Sequence, residues 1–248
     1  MEKKLVLITG GSRGIGAATA RLAARRGYDV AINYVGNEKA ANEVVADIEK
    51  CNARGIAIKG DMASERDIRA MFEAVDAFGE LTDLVNNAGI VGDSGRFADS
   101  DPAMMRRVID VNVTGAMLVA QEAVRRLSRK YGGNGGTIVN IGSMASTLGA
   151  AGEYVWYAAS KGAIDALTIG LSREVAAEGI RVNAVAPGLI DTDIHAAGGQ
   201  PDRIERLRSM IPMGREGAPE EVAEAILYLM SEQASYVVGS TVRISGGR

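Results

Sequence analysis

Tyr157 and Lys161 are the two side chains whose types and spacing best suit acid–base chemistry. They stand four residues apart near the start of a stretch with helical periodicity, so they lie on one face of a helix. An unperturbed phenol titrates near ~10. An ammonium about 4 Å away contributes up to about 4 kcal/mol at an effective dielectric of about 20, enough to bring the phenol's pKa toward neutrality. The pair predicts a tyrosine that exchanges protons with a substrate. Tyr154 is a rival phenol, but the residue four positions after it is Ala158.

A glycine-rich loop near the N-terminus suggests a second kind of chemistry, the binding of phosphate. Residues 9–16 read Thr-Gly-Gly-Ser-Arg-Gly-Ile-Gly, between an apolar run and an alanine-rich helical stretch. Such a junction directs backbone N–H groups and the positive end of a helix at one point. We predict a pyrophosphate site, in which Gly10 makes the turn, Gly14 admits the phosphates and Gly16 lets helix and sheet pack closely. The spacing GxxxGxG differs from the commoner GxGxxG.

The second predicted strand bears on the choice of dinucleotide. NAD sites commonly have an acid at the end of that strand, where it hydrogen-bonds the ribose 2′-hydroxyl. Asp29 lies at the start of the strand instead, and Asn33 and Tyr34 at its end are followed by no acid before Glu38. Arg13 in the glycine loop could hold a 2′-phosphate by charge-assisted hydrogen bonds, or could be a solvated loop charge. We predict that NADP(H) is preferred and that NAD(H) is possible.

Short apolar runs alternate along the chain with longer stretches of helical periodicity. The runs are rich in β-branched residues and nearly continuous, as is typical of strands buried on both faces. This alternation predicts a single-domain, doubly wound α/β (Rossmann) fold over residues 1–248, with about seven parallel strands and helices on both faces. The predicted strands are Leu5–Thr9, Val30–Tyr34, Gly55–Lys59, Leu84–Asn86, Thr137–Ile141, Arg181–Ala186 and Thr241–Ile244.

Two predicted helices and one loop are unusually long. The first helix begins after Ser100-Asp101-Pro102, where an N-cap candidate precedes a proline, and runs to about Lys130. The second, from about Val155 to Ala177, carries Tyr157 and Lys161. Residues 191–214 contain two adjacent glycines and two prolines, and we expect them to form a substrate lid that is poorly ordered without substrate.

The composition excludes several classes of protein. Hydrophobic residues make up 47% of the chain and charged residues 24%, which favours a large core over disorder. A net charge of −3 and a pI near 5.4 indicate no surface for nucleic acid. Cys51 is the single cysteine, and no apolar stretch approaches the ~20 residues of a membrane span. The apolar run Leu5–Ile8 is too short for a signal peptide. We expect a cytoplasmic protein without nucleic-acid or membrane partners.

Together the motifs resemble those of the short-chain dehydrogenase/reductase family, over essentially the whole chain. The resemblance is to NADP-type members such as 3-oxoacyl carrier-protein reductases and glucose dehydrogenases. It implies hydride transfer between a nicotinamide cofactor and a carbonyl or secondary alcohol carbon. Gly142 departs from a frequent second serine, and one residue more than usual separates Ser143 from Tyr157. The matching motifs, in chain order, are residues 9–16, Asp61-Met62, Asn86-Asn87-Ala88-Gly89, Asn112, Ser143, Tyr157 with Lys161, and Pro187-Gly188.

The resemblance also implies roles for individual residues. Tyr157 would be the general acid in reduction and the base in oxidation, and Ser143 would hydrogen-bond the substrate oxygen and stabilise the developing alkoxide. Lys161 would bind the nicotinamide ribose and lower the pKa of Tyr157, while Asn112 would hold a water in a proton relay. The implied cofactor contacts are Gly10, Ser12, Arg13, Gly14, Ile15, Gly16, Asn33, Tyr34, Asp61, Met62, Asn87, Ala88, Gly89, Tyr157, Lys161, Pro187, Gly188, Ile190 and Thr192.

The resemblance implies a homotetramer as well, with the two long helices in one interface and Val242–Arg248 near another. The substrate, a small molecule, stays open among sugars, steroids, acyl thioesters and simple ketones. A basic cluster could dock an acidic carrier, as in 3-oxoacyl carrier-protein reductases, or could only complement helix dipoles. A non-catalytic NADP-sensing or scaffolding relative is the rival from another class, and intact catalytic positions argue against it. The basic cluster comprises Arg125, Arg126, Arg129, Lys130 and Arg173.

His195 is the single histidine of the chain and follows Asp191-Thr192-Asp193-Ile194. An imidazole beside two carboxylates raises the question of a metal site. The sequence offers no further matching ligands, so we predict no metal and interpret His195 as an exposed loop residue.

Overall fold

The computed structural model describes residues 3–248, which contain a sheet of seven parallel strands. The strands are β1 (Leu5–Ile8), β2 (Asp29–Tyr34), β3 (Gly55–Lys59), β4 (Asp83–Asn86), β5 (Gly136–Ile141), β6 (Ile180–Pro187) and β7 (Thr241–Ile244). Their order in the sheet is β3-β2-β1-β4-β5-β6-β7. The chain therefore winds outward from β1 in one direction, returns beside β1 as β4, and winds outward in the other. This topology confirms the predicted doubly wound α/β fold.

Helices cover both faces of the sheet, as predicted. The α-helices in the described part of the chain are α1 (Gly14–Arg25), α2 (Glu38–Glu49), α3 (Glu65–Phe78), α4 (Pro102–Ile109), α5 (Ala116–Leu127), α6 (Ala145–Leu148), α7 (Val155–Val175), α8 (Ile194–Ala197), α9 (Arg203–Leu207) and α10 (Pro219–Met230). Helices α1, α2 and α10 pack on one face, and α3, α5 and α7 pack on the other. Since successive side chains of a strand point to opposite faces, Val6 and Ile8 join the first core while Leu5 and Leu7 join the second.

The first of the two predicted long helices is confirmed from Pro102 to Leu127, with a π-helical segment in its middle, and ends shortly before the predicted Lys130. Asp101 caps α4 as expected, and its carboxylate accepts the Ala103 N–H at 2.9 Å. A π-helical segment, Asp110–Gly115, then separates α4 from α5. A Cβ at Gly115 would lie only 2.0 Å from the Met62 carbonyl oxygen, so this turn packs directly on the loop after β3. Helix α5 ends at Leu127 because the next residue is extended.

The second predicted long helix is confirmed as α7, which is followed by a single 3-10 turn and by Gly179 at φ +89°. Its N-terminal turns carry Tyr157 and Lys161 to the carboxyl end of the sheet, where β5 and β6 end. In doubly wound sheets this edge, next to the reversal of strand order between β1 and β4, is where ligands bind.

Asp83 is buried at the opposite edge of the sheet, at the start of β4, where its Oδ2 accepts a hydrogen bond from Thr82 at 2.8 Å. Burial raises its pKa from an ordinary 3.8 to about 6. The folded state thus binds this proton more tightly than the unfolded chain. The associated stability is fully present below a pH of about 4 and is lost as the pH rises through about 6, a difference of about 3 kcal/mol.

Asp83→Asn should therefore flatten the dependence of folding stability on pH between about 4 and 6, because a neutral amide does not titrate. Urea unfolding of wild type and variant across this range measures the difference in their free energies of unfolding. As the pH rises through this range, the free energy of unfolding of the variant should increase by about 3 kcal/mol relative to that of the wild type. Asp99→Asn, at an exposed carboxylate, is the matched control. A difference that stays constant with pH would contradict the buried acid.

Candidate active site

The glycine loop has the backbone geometry that its composition predicted. Gly10 at φ +63° and Gly14 at φ +52° occupy the left-handed region that favours glycine. A Cβ on Gly16 would lie 2.4 Å from the Gly10 carbonyl oxygen, so helix α1 packs too closely on the loop for any side chain there. The loop therefore exposes backbone at the N-terminus of a twelve-residue helix, an arrangement that can bind phosphate.

Hydrogen bonds join this loop to the segment after β4. Thr9 Oγ1 accepts the N–H groups of Asn87 and Ala88, both at 2.9 Å. Asn87 Nδ2 in turn donates to the carbonyls of Thr9 at 2.8 Å and Gly10 at 3.1 Å. These bonds bring residues 87–89 against the glycine loop, as expected of two walls of one cleft.

Asn33 has a different environment from the one the sequence suggested. Its side chain is buried, and Nδ2 donates to the carbonyls of Gly60 at 2.8 Å and Ile58 at 3.3 Å. Its Oδ1 accepts the Gly10 N–H at 3.3 Å. The amide thus supports the glycine loop from beneath and is already fully engaged within the protein. The neighbouring Tyr34 is buried as well.

Arg13 is exposed and forms no ion pair with any residue from 3 to 248. It is the N-cap residue of α1, and its extended backbone precedes the first turn. Ser12 and Ile15, on either side of this region, are partly buried. The guanidinium is consequently free to bind an anion at the mouth of the loop.

Asp61 and Met62 follow β3 at the same edge of the sheet. Asp61 Oδ1 accepts the Ala63 N–H at 3.0 Å, and Oδ2 pairs with Arg107 at 2.7 Å. Met62 is buried against the second core. Arg107, on α4, was missed by the sequence reasoning. No spacing in the sequence connects it to Asp61, from which it is separated by 46 positions.

Tyr157, Lys161 and Ser143 come together above the ends of β5 and β6. Lys161 Nζ is buried, donates to the Ile141 carbonyl at 2.7 Å, and lies 5.7 Å from the centre of the Tyr157 ring. Ser143 stands two positions after the end of β5, where its Oγ accepts the Ala145 N–H at 3.1 Å. The Tyr157 phenol, the Ser143 hydroxyl and the Lys161 ammonium thus lie close together.

Burial shifts the pKa values of both Tyr157 and Lys161. Burial raises the pKa of Tyr157, opposed by a hydrogen bond from Ser143 and by the positive charge of Arg203. Lys161 is not among the groups that shift the Tyr157 pKa in this structure, where its ammonium donates to the Ile141 carbonyl, so its effect on the phenol stays a prediction. Burial also lowers the pKa of Lys161, to about 8. The phenol is therefore a proton donor at neutral pH.

Asn112 lies in the π-helical segment rather than in a regular α-helix. Its Nδ2 donates to the Ile90 carbonyl at 2.8 Å and to Ser160 at 3.1 Å, while Oδ1 accepts the Ile90 N–H at 2.9 Å. Ser160 donates onward to the Tyr157 carbonyl at 2.7 Å. The side-chain amide therefore holds the loop after β4 against α7. π-Turns are frequent at functional sites, and the sequence pattern gave no sign of this one.

The segment after β6 closes the far side of the cleft. Pro187 O accepts the Met144 N–H at 2.9 Å, and a Cβ on Gly188 would lie 2.7 Å from Ser245 Cα. Thr192 reaches the glycine loop, since a Cβ on Gly14 would be 3.2 Å from its methyl group. Ile190, between them, is buried. The loops after β1 and β6 thus meet across the cleft.

The predicted lid, residues 191–214, contains helices α8 and α9 instead of forming one long irregular loop. Glu153 anchors it: its carboxylate pairs with Arg203 at 2.8 Å and with Arg206 at 3.0 Å. Burial favours protonation of Glu153, yet hydrogen bonds from these two arginines hold its pKa below the usual value. The rival phenol Tyr154 is engaged here too, donating to the Gly198 carbonyl at 2.9 Å. Its hydroxyl is thus committed to the lid.

His195 is buried, which corrects its interpretation as an exposed loop residue. Its Nε2 lies 2.9 Å from the Ile190 carbonyl, which can only accept, so the imidazole donates through Nε2. Nδ1 faces Arg203 at 3.5 Å. Burial lowers the His195 pKa, so the neutral ring fits beside the guanidinium. It helps to fold the lid.

Glu153→Gln should loosen the lid, because an amide cannot form the two ion pairs. A charge-assisted hydrogen bond contributes about 1.5–3 kcal/mol, so amide hydrogen exchange in residues 194–207 should accelerate by roughly 10- to 100-fold. Glu174→Gln, at an exposed carboxylate near the C-terminal end of α7, controls for the charge change. Equal exchange rates in wild type and Glu153→Gln would mean that this network does not hold the lid.

Two of the five residues of the basic cluster form ion pairs within the chain. Arg126 pairs with Asp76 and Glu122, both at 2.7 Å, and Arg125 also pairs with Glu122.

Among residues 3–248, no three His, Cys, Asp or Glu side chains gather as a possible metal site. Within the same residues, no helix combines the length and apolarity needed to cross a membrane.

Comparisons with known proteins agree with this geometry. A family profile described as enoyl-(acyl carrier protein) reductase matches residues 10–248. An uncharacterized oxidoreductase of Escherichia coli K12, YgfF, is 52% identical over 245 residues, covering 98% of this chain and 99% of that protein. A short-chain dehydrogenase from Burkholderia cenocepacia J2315 in complex with NADP is 37% identical with a TM-score of 0.91, covering 98% of this chain and 97% of that one. A 3-ketoacyl-(acyl-carrier-protein) reductase from Brucella melitensis complexed with NADH is 31% identical with a TM-score of 0.91, covering 100% and 98%.

Proposed function

Because this chain belongs to the short-chain dehydrogenase/reductase family, we propose that it interconverts a secondary alcohol and a ketone or aldehyde. The supporting observation is the meeting of Tyr157, Ser143 and Lys161 beside a glycine loop at the carboxyl edge of the sheet. A structural or sensing role would require the loop but none of these three side chains. The family's oxidoreductase chemistry and this constellation together support an enzyme.

The residues present fit a nicotinamide dinucleotide. The glycine loop packs against α1 so closely at Gly16 that its backbone, not a side chain, faces the N-terminus of the helix, and the free cation Arg13 stands at its mouth. The pyrophosphate would be held by Gly10, Ser12, Gly14, Ile15 and Gly16, the adenine side by Asp61 and Met62, and the nicotinamide side by Asn87, Ala88, Gly89, Pro187, Gly188, Ile190 and Thr192. Asn33 would act indirectly, by supporting Gly10, with Tyr34 packed beside it.

When bound, the nicotinamide supplies or accepts the hydride. In reduction Tyr157 donates a proton to the substrate oxygen, and in oxidation it removes one. Its raised pKa favours the neutral phenol, which suits reduction at neutral pH. Ser143 donates to the same oxygen and stabilises its developing negative charge. Lys161 contributes a positive charge within 5.7 Å of the phenol ring, and Asn112 fixes the loop that borders this space.

We further propose that NADP(H) is preferred, since Arg13 is unpaired and β2 ends without an acid. The relatives leave both cofactors open, because one neighbouring structure carries NADP and another NADH. NAD(H) therefore belongs in every assay. A cytoplasmic location is part of the same proposal.

A homotetramer is also proposed. Large apolar side chains on the two helical regions named for one interface are exposed: Ile109 by 39%, Met117 by 45% and Ile169 by 44%. Near the other proposed interface Tyr236 is fully exposed. These side chains are the apolar surface that the proposed assembly would cover. Light scattering of the purified protein measures the assembly directly.

A turnover panel tests the function. Representative sugars, hydroxysteroids, 3-oxoacyl thioesters and simple ketones would each be assayed with NADPH and NADH, or with the oxidised forms for alcohols. We expect turnover in at least one class, abolished in Ser143→Ala. No turnover in any class would support the non-catalytic alternative. A 3-oxoacyl carrier-protein reductase remains the alternative enzyme, and a strong preference for carrier-linked over free thioesters would favour it.

A further inference from the structure

Asp165 continues the helical face that carries Tyr157 and Lys161. The three residues are spaced by four positions on α7, so they form a row along one side of the helix. Asp165 Oδ1 is buried and has no hydrogen-bond partner among the residues of the described chain. A carboxylate oxygen withdrawn from water without a donor is costly, and native proteins rarely leave one without a reason.

Gly142 explains why this oxygen lacks a donor. A Cβ at that position would stand 3.4 Å from Asp165 Oδ1, and glycine offers no side chain to meet it. Along the helix, the charge nearest to this carboxylate is the ammonium of Lys161, four positions earlier.

Lys161 forms no ion pair with any residue from 3 to 248, and Asp165 is the charged group that acts on it. The Lys161 ammonium donates to the Ile141 carbonyl of β5. It also lies beside the backbone of Gly89 in the loop after β4, where a Cβ would be 3.6 Å from Nζ. The π-helical segment contributes only the neutral amide of Asn112. On its own helix the neighbours are the phenol of Tyr157 and the carboxylate of Asp165. The guanidinium of Arg203 acts on Tyr157.

We infer that Asp165 is a positioning residue that keeps Lys161 positively charged within its buried site. Removing an ammonium from water favours its neutral form, and a carboxylate one helical turn away opposes this. Consistently, burial lowers the pKa of Lys161 to about 8 while Asp165 acts in the opposite direction. The consequence for catalysis rests on the proposed function, because only there does the charge of Lys161 serve Tyr157.

An NMR titration of the lysine side chains tests this without any substrate. The chain has seven lysines, so selective ¹³C labelling gives a simple spectrum in which Lys161→Arg identifies the Lys161 signal. In Asp165→Asn, which keeps the side chain's size, the pKa of Lys161 should fall by about one unit or more. In Asp165→Glu, which keeps the charge, it should fall less. An unchanged pKa in Asp165→Asn would overturn the inference.

Gly142→Ser provides a second variant that does not alter the acid, should Asp165→Asn fail to fold. A hydroxyl beside Asp165 Oδ1 would compensate part of the carboxylate's charge. The Lys161 pKa should therefore fall, by less than in Asp165→Asn. An unchanged Lys161 pKa would count against the inference. For turnover, the loss of reductase activity at alkaline pH should begin at lower pH in Asp165→Asn. A shifted titration in a protein that turns over nothing would uphold the role of Asp165 and reject the proposed function.

Discussion

Tyr157→Phe should lower turnover by about 10²- to 10⁴-fold and leave NADPH binding nearly unchanged. The substitution removes only the hydroxyl that exchanges the proton. The ring itself packs on an apolar cluster that includes Val91 and Trp156, and phenylalanine preserves that packing. Steady-state kinetics with the best substrate of the panel, together with fluorescence titration of NADPH, measures both effects.

Tyr154→Phe is the matched control for this prediction, because it deletes a phenol three positions away. Its hydroxyl donates to the Gly198 carbonyl in the lid, so its loss should act mainly on KM. If Tyr157→Phe kept more than about a tenth of the wild-type rate, Tyr157 would not be the acid. A large loss of kcat in Tyr154→Phe instead would transfer the role to that residue.

Arg13→Ala should weaken NADPH by about 10- to 100-fold and leave NADH almost unchanged. A charge-assisted hydrogen bond to a 2′-phosphate contributes about 1.5–3 kcal/mol, which corresponds to this range. The ratio of kcat/KM for the two cofactors, in wild type and variant, is the measurement. Arg25→Ala, an exposed arginine at the opposite end of the same helix, controls for the loss of charge. A wild type that prefers NADH, or a ratio unmoved by Arg13→Ala, would reject the NADP proposal.

Asn33→Asp, which would place an acid at the end of β2, is unsuitable as a companion variant. The Asn33 amide donates to the carbonyls of Gly60 and Ile58 in a buried site. A carboxylate there would face two acceptors with no proton to give, so the variant would destabilise the protein as well as repel a phosphate. Its effect on cofactor choice could not be separated from its effect on folding.

The fold was predictable because its signals are local. Each strand is a short β-branched run and each helix has its own periodicity, and the rules of parallel connection leave few ways to arrange them. The glycine loop was predictable for the same reason, since positive φ at Gly10 and Gly14 requires a particular residue type. The pairing of Tyr157 with Lys161 follows from helical spacing alone.

The rest depends on contacts between distant parts of the chain. The π-turn at Asn112 arises where α4 and α5 pack on the loop after β3, a contact with no pattern in the sequence. The burial of His195 and the anchoring of the lid need Arg203 and Glu153, which are 50 positions apart. The raised pKa of Tyr157 reflects its partial burial among residues from other parts of the chain, which spacing along a helix cannot express.

Hydride transfer can be followed directly with NADPH that carries deuterium at both C4 positions of the nicotinamide. The alcohol formed from the panel's best carbonyl substrate would be analysed by mass spectrometry and NMR. We predict that the alcohol carries deuterium on its carbinol carbon and a solvent proton on its oxygen, delivered by way of Tyr157. An alcohol with no deuterium at that carbon, or consumption of NADPH without an alcohol product, would contradict the proposed reaction.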